Sequence, residues 1–204
     1  MARKSFIASI LGVLAATVGA AAVEEPSFRL VLRDGSFEIR DYPALVMAEV
    51  TEPGDRNSAA YSGFRTLAGY IFGGNTRNES IEMTAPVIEA RPADWLPSAS
   101  PTEPSRKGDW TIQFVMPPQF SLTSLPRPNS PNIRLKETRA ARVAAIRFSG
   151  WATDRSISDH TAELERKLRE RQLIVTGPAA IAQYDPPWTL PFLRRNEILI
   201  PIEK

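Results

Sequence analysis

The stretch QYDPPWTLPFLRRNE, residues 183–197, separates the last two predicted strands of the chain. Its three prolines each fix φ and remove a backbone donor, so we predict a stiff, extended loop and not a helix. Such a loop can hold Trp188 and Phe192 partly exposed at little entropic cost, with Arg194 and Arg195 placed to meet an anionic group. Composition alone favours the alternative, in which both aromatic side chains fold back over the core.

Strand-like and helix-like segments make up most of the chain around this loop. Apolar residues at three- and four-residue spacing predict helices over 57–72 and 153–171, the first capped by Asn57 or Ser58. The range 91–109 is rich in proline, serine and charge and is predicted to be a surface loop. Alternating apolar and polar residues predict strands in 28–40 (two strands, around the turn Asp34-Gly35), 44–50, 81–90, 110–116, 132–140, 142–148, 181–184 and 196–202.

The order of these elements repeats between residues 28–117 and 132–202. The closing strands of the two halves share a pattern, FVMP at 114–117 and ILIP at 198–201. A strand-rich chain with two helices and this repeat predicts an α+β protein built on an antiparallel barrel or sheet of two pseudo-repeated halves. A barrel would leave no exposed strand edges.

The first 22 residues differ from the rest of the chain. Arg3 and Lys4 precede the apolar run Phe6–Val18, and Ala20-Ala21-Ala22 supplies small residues before Val23. This pattern predicts a cleaved secretory signal peptide at 1–22, a mature domain at 23–204 and a periplasmic or secreted protein without a membrane span. The alternative is an uncleaved membrane anchor.

Charge and cysteine content exclude several function classes. Losing Arg3 and Lys4 lowers the basic residues from 25 to 23, which equals the 23 acidic residues, so the mature chain has no net charge to favour nucleic acid. The chain has no cysteine, which excludes disulfides, thiolate nucleophiles and cysteine metal sites. The single histidine, His160, excludes any site made of several histidines.

His160 and a few glutamates are the candidates for chemistry. His160 lies at helical spacing with Ile157, Leu164 and Leu168, where it could ligate a metal or haem iron, or instead border a buried stripe and bond a neighbour. A buried glutamate in a cavity could act as a general base. Glu197, beside two arginines, is more simply an ion-paired structural residue.

Several ordered motifs resemble those of the SOUL/haem-binding protein family. The strongest are Tyr184-Asp185-Pro186-Pro187-Trp188 followed by Arg194-Arg195-Asn196-Glu197, and Met83-Thr84-Ala85-Pro86-Val87. Phe37-Glu38-Ile39-Arg40-Asp41-Tyr42, Phe114-Val115-Met116-Pro117 and Phe148-Ser149-Gly150 also fit. The resemblance covers about residues 28–203. It implies a distorted antiparallel β-barrel with an internal two-fold repeat, flanked by two helices.

The same resemblance implies a binding protein, not an enzyme, for haem or a related tetrapyrrole, and we expect it to be a monomer. The ligand would lie in a mainly hydrophobic cleft between the first helix and the loop before the last strand. Arg65 is the candidate for a propionate contact. The site residues implied are Tyr61, Phe64, Arg65 and Ala68 from the helix, and Trp188, Thr189 and Phe192 from the loop.

Two other hypotheses compete with haem binding. One is an enzyme that acts on a small apolar substrate through a cavity glutamate, Glu82 or Glu89. The other is a protein-interaction module whose aromatic loop docks on a partner, which a large exposed patch without any concavity would favour.

Overall fold

The computed structural model describes residues 23–91, 95–99 and 108–204, so the predicted signal peptide lies outside the described residues. Within the described residues the chain forms nine strands, two α-helices and one 3-10 helix. In chain order they are β1 Arg29–Asp34, β2 Phe37–Tyr42, β3 Val46–Glu52, α1 Arg56–Ile71, β4 Val87–Ala90, β5 Trp110–Val115, β6 Arg134–Glu137, β7 Ala141–Phe148, α2 Asp154–Glu170, β8 Ala180–Gln183, the 3-10 helix Pro191–Leu193 and β9 Asn196–Ile202.

The predicted elements are confirmed, with changes at their ends. The cap of α1 is Asp55, whose carboxylate accepts from Ser58 N at 3.0 Å, and not Asn57 or Ser58 as expected. β4 is shorter than predicted and begins after Pro86, because proline cannot donate to a strand ladder. Neither helix in the described part of the chain is long and apolar enough to cross a membrane.

All strands join one antiparallel sheet in the order β1-β2-β7-β9-β8-β4-β5-β3-β6. The order is symmetric about the central β8–β4 pair: β9 corresponds to β5, β7 to β3, and β2 to β6. β2 of the first half therefore pairs with β7 of the second half, and β6 of the second half pairs with β3 of the first. The α+β class and the repeat of two halves are confirmed at the level of topology.

The closed barrel is not confirmed. Among the described strand pairings, β1 and β6 are the two edges of the sheet and do not pair with each other. The sheet is therefore open, although its strand order is the one that the two-half repeat requires.

One face of the sheet carries a core that does not involve the helices. Met47, Val143 and Leu199 belong to this cluster together with Trp95 and Leu96, which are 2% and 1% exposed. The prediction of a surface loop over 91–109 is therefore wrong for these two residues. The indole of Trp95 donates to Gln113 Oε1 at 2.9 Å, so its polar group is satisfied inside the core.

The two helices pack on the other face of the sheet. α1 packs against β3 and β5 through residues such as Leu67 and Ile71, and α2 packs against β7 and β9 through Leu164 and Leu168. The central strands β4 and β8 lie between the two helix-covered regions. This arrangement leaves room for a cleft over the middle of the sheet.

Candidate functional site

A cavity of about 400 Å³ lies over β4 and β8, between α1 and the loop before β9. Val87 and Glu89 of β4 and Gln183 of β8 come from the sheet beneath it. Most of the lining is apolar, so the cavity can accept an apolar ligand. The lining residues are Val23, Ala60, Phe64, Met83, Thr84, Ala85, Val87, Glu89, Gln183, Tyr184, Asp185, Pro186, Pro187, Trp188 and Arg194. We call this cavity the cleft.

The α1 side of the cleft follows from how that helix packs. Gly63 and Leu67 are buried against the sheet, which turns the next position, Phe64, toward the edge of the helix. Phe64 remains 42% exposed, and its ring meets Phe114 edge-on at 5.5 Å between centroids. The Phe64 ring thus forms one side of the cleft at its mouth, and the small Ala60 lines the cleft one helical turn earlier.

The loop side of the cleft is held by Arg194. Its Nε donates to the carbonyl of Thr189 at 2.8 Å, another guanidinium nitrogen donates to the carbonyl of Pro187, and the group lies 3.9 Å from the ring centroid of Trp151. Asp185 accepts from Arg195 N at 2.6 Å. These bonds fix the loop without covering its apolar side chains.

The exposure of the loop contradicts the expectation from composition. Trp188 is 82% exposed and Phe192 is 70% exposed, so neither folds back over the core. The loop is also not extended throughout, because Pro191–Leu193 form a 3-10 helix. Proline at the first position of that turn and the carbonyl contacts of Arg194 hold the aromatic side chains outward.

Two of the seven implied haem-contacting residues, Phe64 and Trp188, line the cleft together. Tyr61 and Arg65 lie on the exposed side of α1, with the Arg65 guanidinium 5.7 Å from the Tyr61 ring centroid. Ala68 is half-buried further along that helix. On the loop, Thr189 is half-buried and Phe192 is exposed, and neither is among the described lining residues.

The lining also contains residues that the resemblance did not assign. Met83 and Tyr184 belong to the two strongest motifs, so the signal that could have found them was already in the sequence. Glu89 had been named only as a catalytic candidate, and the structure places it beneath the cleft with 1% exposure. Glu82, the other candidate base, is exposed and is not among the described lining residues.

Glu89 is held in a polar network. Arg56 Nη1 donates to Glu89 Oε2 at 2.9 Å, and the amide of Gln183 donates to the other carboxylate oxygen. Burial raises the pKa of Glu89 above its ordinary value, although the charge and hydrogen bond of Arg56 act in the opposite direction. Arg56 also binds Asp154 at 3.1 Å, which links the first residues of the two helices.

A second, more polar cavity of about 480 Å³ adjoins the cleft. It lies between the N-terminal ends of α1 and α2 and shares Ala60, Gln183 and Arg194 with the cleft. Arg56, Asn57, Trp151, Ala152, Thr153 and Asp154 complete its lining.

The prediction that Glu197 is an ion-paired structural residue is confirmed. It is fully buried, accepts from Arg40 Nη1 at 2.6 Å and Nη2 at 2.9 Å, and also pairs with Arg195. The hydroxyl of Tyr184 donates to it at 2.8 Å. Burial acts against the charged form, but the hydrogen bonds and charge of Arg40, with the charge of Arg195, lower the pKa of Glu197 below its ordinary value.

His160, the metal-ligand candidate, lies on α2, outside the described lining of the cleft. Its ring stacks on Phe148 with centroids 4.1 Å apart, and its Nδ1 lies 2.7 Å from the carbonyl of Ser156. Nδ1 therefore carries the hydrogen in this arrangement. Across the described residues, no group of three or more His, Cys, Asp or Glu side chains is arranged to hold a metal ion.

The fold and the cleft are typical of a small-molecule binding domain: an antiparallel sheet carries two helices on one face, and an apolar cavity lies between α1 and the loop before β9. Residues 23–201 match the family model described as SOUL heme-binding protein. The chain belongs to this family.

Relatives with curated names agree with this assignment. Heme-binding protein 2 of Mus musculus is 29% identical over 183 residues, which cover 87% of this chain and 85% of that protein. Heme-binding protein 1 of Xenopus laevis is 28% identical over 171 residues, covering 81% of this chain and 84% of that protein.

Solved structures share the fold at lower sequence identity. The C-terminal domain of EcmrR has a TM-score of 0.55 at 15% identity, covering 82% of this chain and 97% of that one. A hydrolase from Listeria innocua has a TM-score of 0.52 at 13% identity, covering 90% of this chain and 94% of that one. At these identities the likeness shows the fold alone.

Proposed function

We propose that the protein is an exported binding protein for haem or a related tetrapyrrole, which it holds in the cleft between α1 and the loop before β9. The observation that carries the proposal is the apolar cleft with Phe64 on one side and Trp188 on the other. The family and the haem-binding names of the relatives support the choice of ligand. The family resemblance implies a closed barrel. We propose only that the sheet curves in that direction, since its edge strands β1 and β6 do not pair among the described strands.

The chemistry of the lining fits a tetrapyrrole. The ligand is a flat apolar plate with carboxylates on one edge, and aromatic rings and small residues such as Phe64, Trp188 and Ala60 suit the plate. Arg65 on the exposed side of α1 stays our candidate for a propionate, reached from outside the cavity. Tyr61, Ala68, Thr189 and Phe192 would extend the contact surface around the mouth.

Iron ligation would come from a residue of the lining if the ligand is haem. Thioether and phenol groups are known haem-iron ligands, and the lining contains Met83 and Tyr184. The Tyr184 hydroxyl already donates to Glu197, so Met83 is the better candidate. His160 remains a predicted ligand only if the metal binds at α2, away from the cleft.

Export rests on the N-terminal sequence. The charged start Arg3-Lys4, the apolar run Phe6–Val18 and the alanines at 20–22 support a signal peptide that is removed to leave a chain in the periplasm or outside the cell. An uncleaved anchor would instead tether the same domain to the membrane.

Hemin titration of the purified protein tests the ligand and its place together. We expect a shift of the Soret band on binding, and a roughly five- to thirtyfold weaker affinity for Trp188→Ala or Phe64→Ala, since each removes an aromatic contact worth about 1–2 kcal/mol. Leu122→Ala is the control, because Leu122 is an exposed apolar residue outside the described lining. Absence of a Soret shift would reject haem, and unchanged affinity of both aromatic variants would move the site elsewhere.

A second candidate function is an enzyme that acts on a small apolar substrate, favoured by the buried Glu89 beneath the cleft. A carboxyl whose pKa is raised by burial is suited to act as a general base nearer neutral pH. In an aryl-ester hydrolysis assay, the Glu89→Gln variant should then turn over substrate at least about a hundredfold more slowly than the unaltered protein. No turnover by the unaltered protein, or equal rates in both, would eliminate this candidate. A large exposed patch without any concavity would have favoured the interaction-module hypothesis, and the cleft is a concavity beside the aromatic loop.

A further inference from the structure

The beginning of the predicted mature chain lies at the cleft. Val23, the residue that follows the predicted cleavage point, is one of the lining residues and is 49% exposed. The next residue, Glu24, bridges in parallel to Thr84, and its carbonyl accepts from Ala85 N at 2.8 Å. Glu25 then forms an ion pair with Arg195 at 2.8 Å. Residues 23–25 are therefore held beside the cleft by backbone and side-chain bonds.

The described lining of the cleft is short of available positive charge. Arg194 is its one cation, and two of its guanidinium nitrogens already donate to loop carbonyls. The acidic members are Glu89, neutralised by Arg56, and Asp185, which accepts from the backbone of Arg195. A ligand that carries carboxylates would gain from one more cation at the mouth.

Cleavage before Val23 would create that cation. An α-amino group has an ordinary pKa of about 7.7–8.0 and is therefore mostly charged at pH 7. We propose that removal of residues 1–22 completes the binding site by leaving the α-ammonium of Val23 at the cleft mouth, where it pairs with a carboxylate of the ligand. This inference rests on the proposed function and adds to it that processing of the chain raises ligand affinity.

The test compares two chains and two ligands. One chain begins at Val23, and the other retains Ala20-Ala21-Ala22, so its amino group is three residues further along the chain from Val23. Both contain every described strand, helix and core cluster, because all of these lie within residues 23–204. Equal circular dichroism spectra and urea midpoints confirm that the two chains are equally folded. The ligands are protoporphyrin IX, a dicarboxylate, and its dimethyl ester, which has no free carboxylate.

We expect the chain that begins at Val23 to bind protoporphyrin IX about three- to tenfold more tightly than the extended chain, as for a partly exposed charge-assisted bond. With the dimethyl ester the two chains should have the same affinity. Equal affinities for protoporphyrin IX would overturn the inference while leaving the proposed function intact. If neither chain binds hemin or protoporphyrin IX, the proposed function fails and the inference fails with it.

The same inference predicts the N-terminus of the exported protein. Expression of the full chain in a secreting bacterial host, followed by intact mass measurement, should give a product that begins at Val23. A product that keeps residues 1–22, or that begins at another residue, would overturn the proposed role of the α-ammonium.

Discussion

The buried carboxylate of Glu197 shows how a single residue can connect the stability of the domain to the position of the binding loop. It binds Arg40 of β2 and Arg195 at the end of the loop, and it accepts from Tyr184 at the start of the loop. Both ends of the loop are therefore tied to one buried group. This places a structural ion pair at Arg195 and Glu197 of the RRNE motif.

Replacing Glu197 by Gln should lower the free energy of unfolding by about 3 kcal/mol at pH 7, because Arg40 would lose its buried counter-charge. Urea unfolding measures this loss. Glu170→Gln is the matched control, since Glu170 pairs with Arg166 at the surface and its loss should cost less than about 0.5 kcal/mol. Equal effects of the two substitutions would contradict the structural role of Glu197.

The pKa of Glu197 also predicts a pH dependence. Its folded-state pKa lies below the ordinary value of 4.5, so its contribution to stability is present above pH 4.5 and is lost as the pH falls through the lower folded-state pKa. The difference in unfolding free energy between the unaltered protein and Glu197→Gln should therefore narrow in acid. A difference that stays the same at pH 7 and pH 3 would show that the ionised form does not provide the stability.

At the scale of the element, α1 depends on one close approach to the sheet. A Cβ added at Gly63 would clash with the side chain of Ile112 in β5 and lie 3.2 Å from Cγ1 of Val50 in β3. The absence of a side chain at this position lets the helix lie flat on the two strands. It also sets where the neighbouring Phe64 stands relative to the cleft.

Gly63→Ala should therefore destabilise the fold by roughly 1–3 kcal/mol, the usual cost of overpacking a core. Gly69→Ala in the same helix is the control, because a Cβ there would meet nothing within 4 Å and should stabilise the helix by about 0.5–1 kcal/mol. Thermal or urea unfolding measures the change in stability that each substitution causes. A neutral Gly63→Ala would mean that α1 can move away from the sheet without loss.

At the scale of the whole molecule, the site lies where the two halves meet. The β8–β4 pair is the centre of the symmetric strand order, and α1 and α2 begin on either side of it. Arg56 and Asp154, the first residues of the two helices, join across this centre at 3.1 Å. Arg56 also neutralises Glu89 beneath the cleft, so the contact between the halves and the electrostatics of the site share one side chain.

Much of this organisation could be predicted from the sequence, because it is encoded locally. Hydrophobic spacing identified the helices and most strands, the turn at Asp34-Gly35 placed the first hairpin, and the repeated FVMP and ILIP patterns indicated two halves. The ordered motifs identified the family. These features depend on residues within a few positions of one another, or on motifs that can be compared directly.

Tertiary structure alone decided the composition of the cleft and the burial of its polar groups. Its lining combines segments that are distant along the chain and meet only because β4 and β8 are paired. These segments supply Val23, Ala60 and Phe64, then Met83, Thr84, Ala85, Val87 and Glu89, and finally residues 183–188 and Arg194. Composition favoured burial of Trp188 and exposure of the segment that contains Trp95, and both expectations were wrong. Side-chain burial depends on which partners the folded chain supplies: Trp95 meets Gln113 in the core, whereas Arg194 holds the Trp188 loop at the surface.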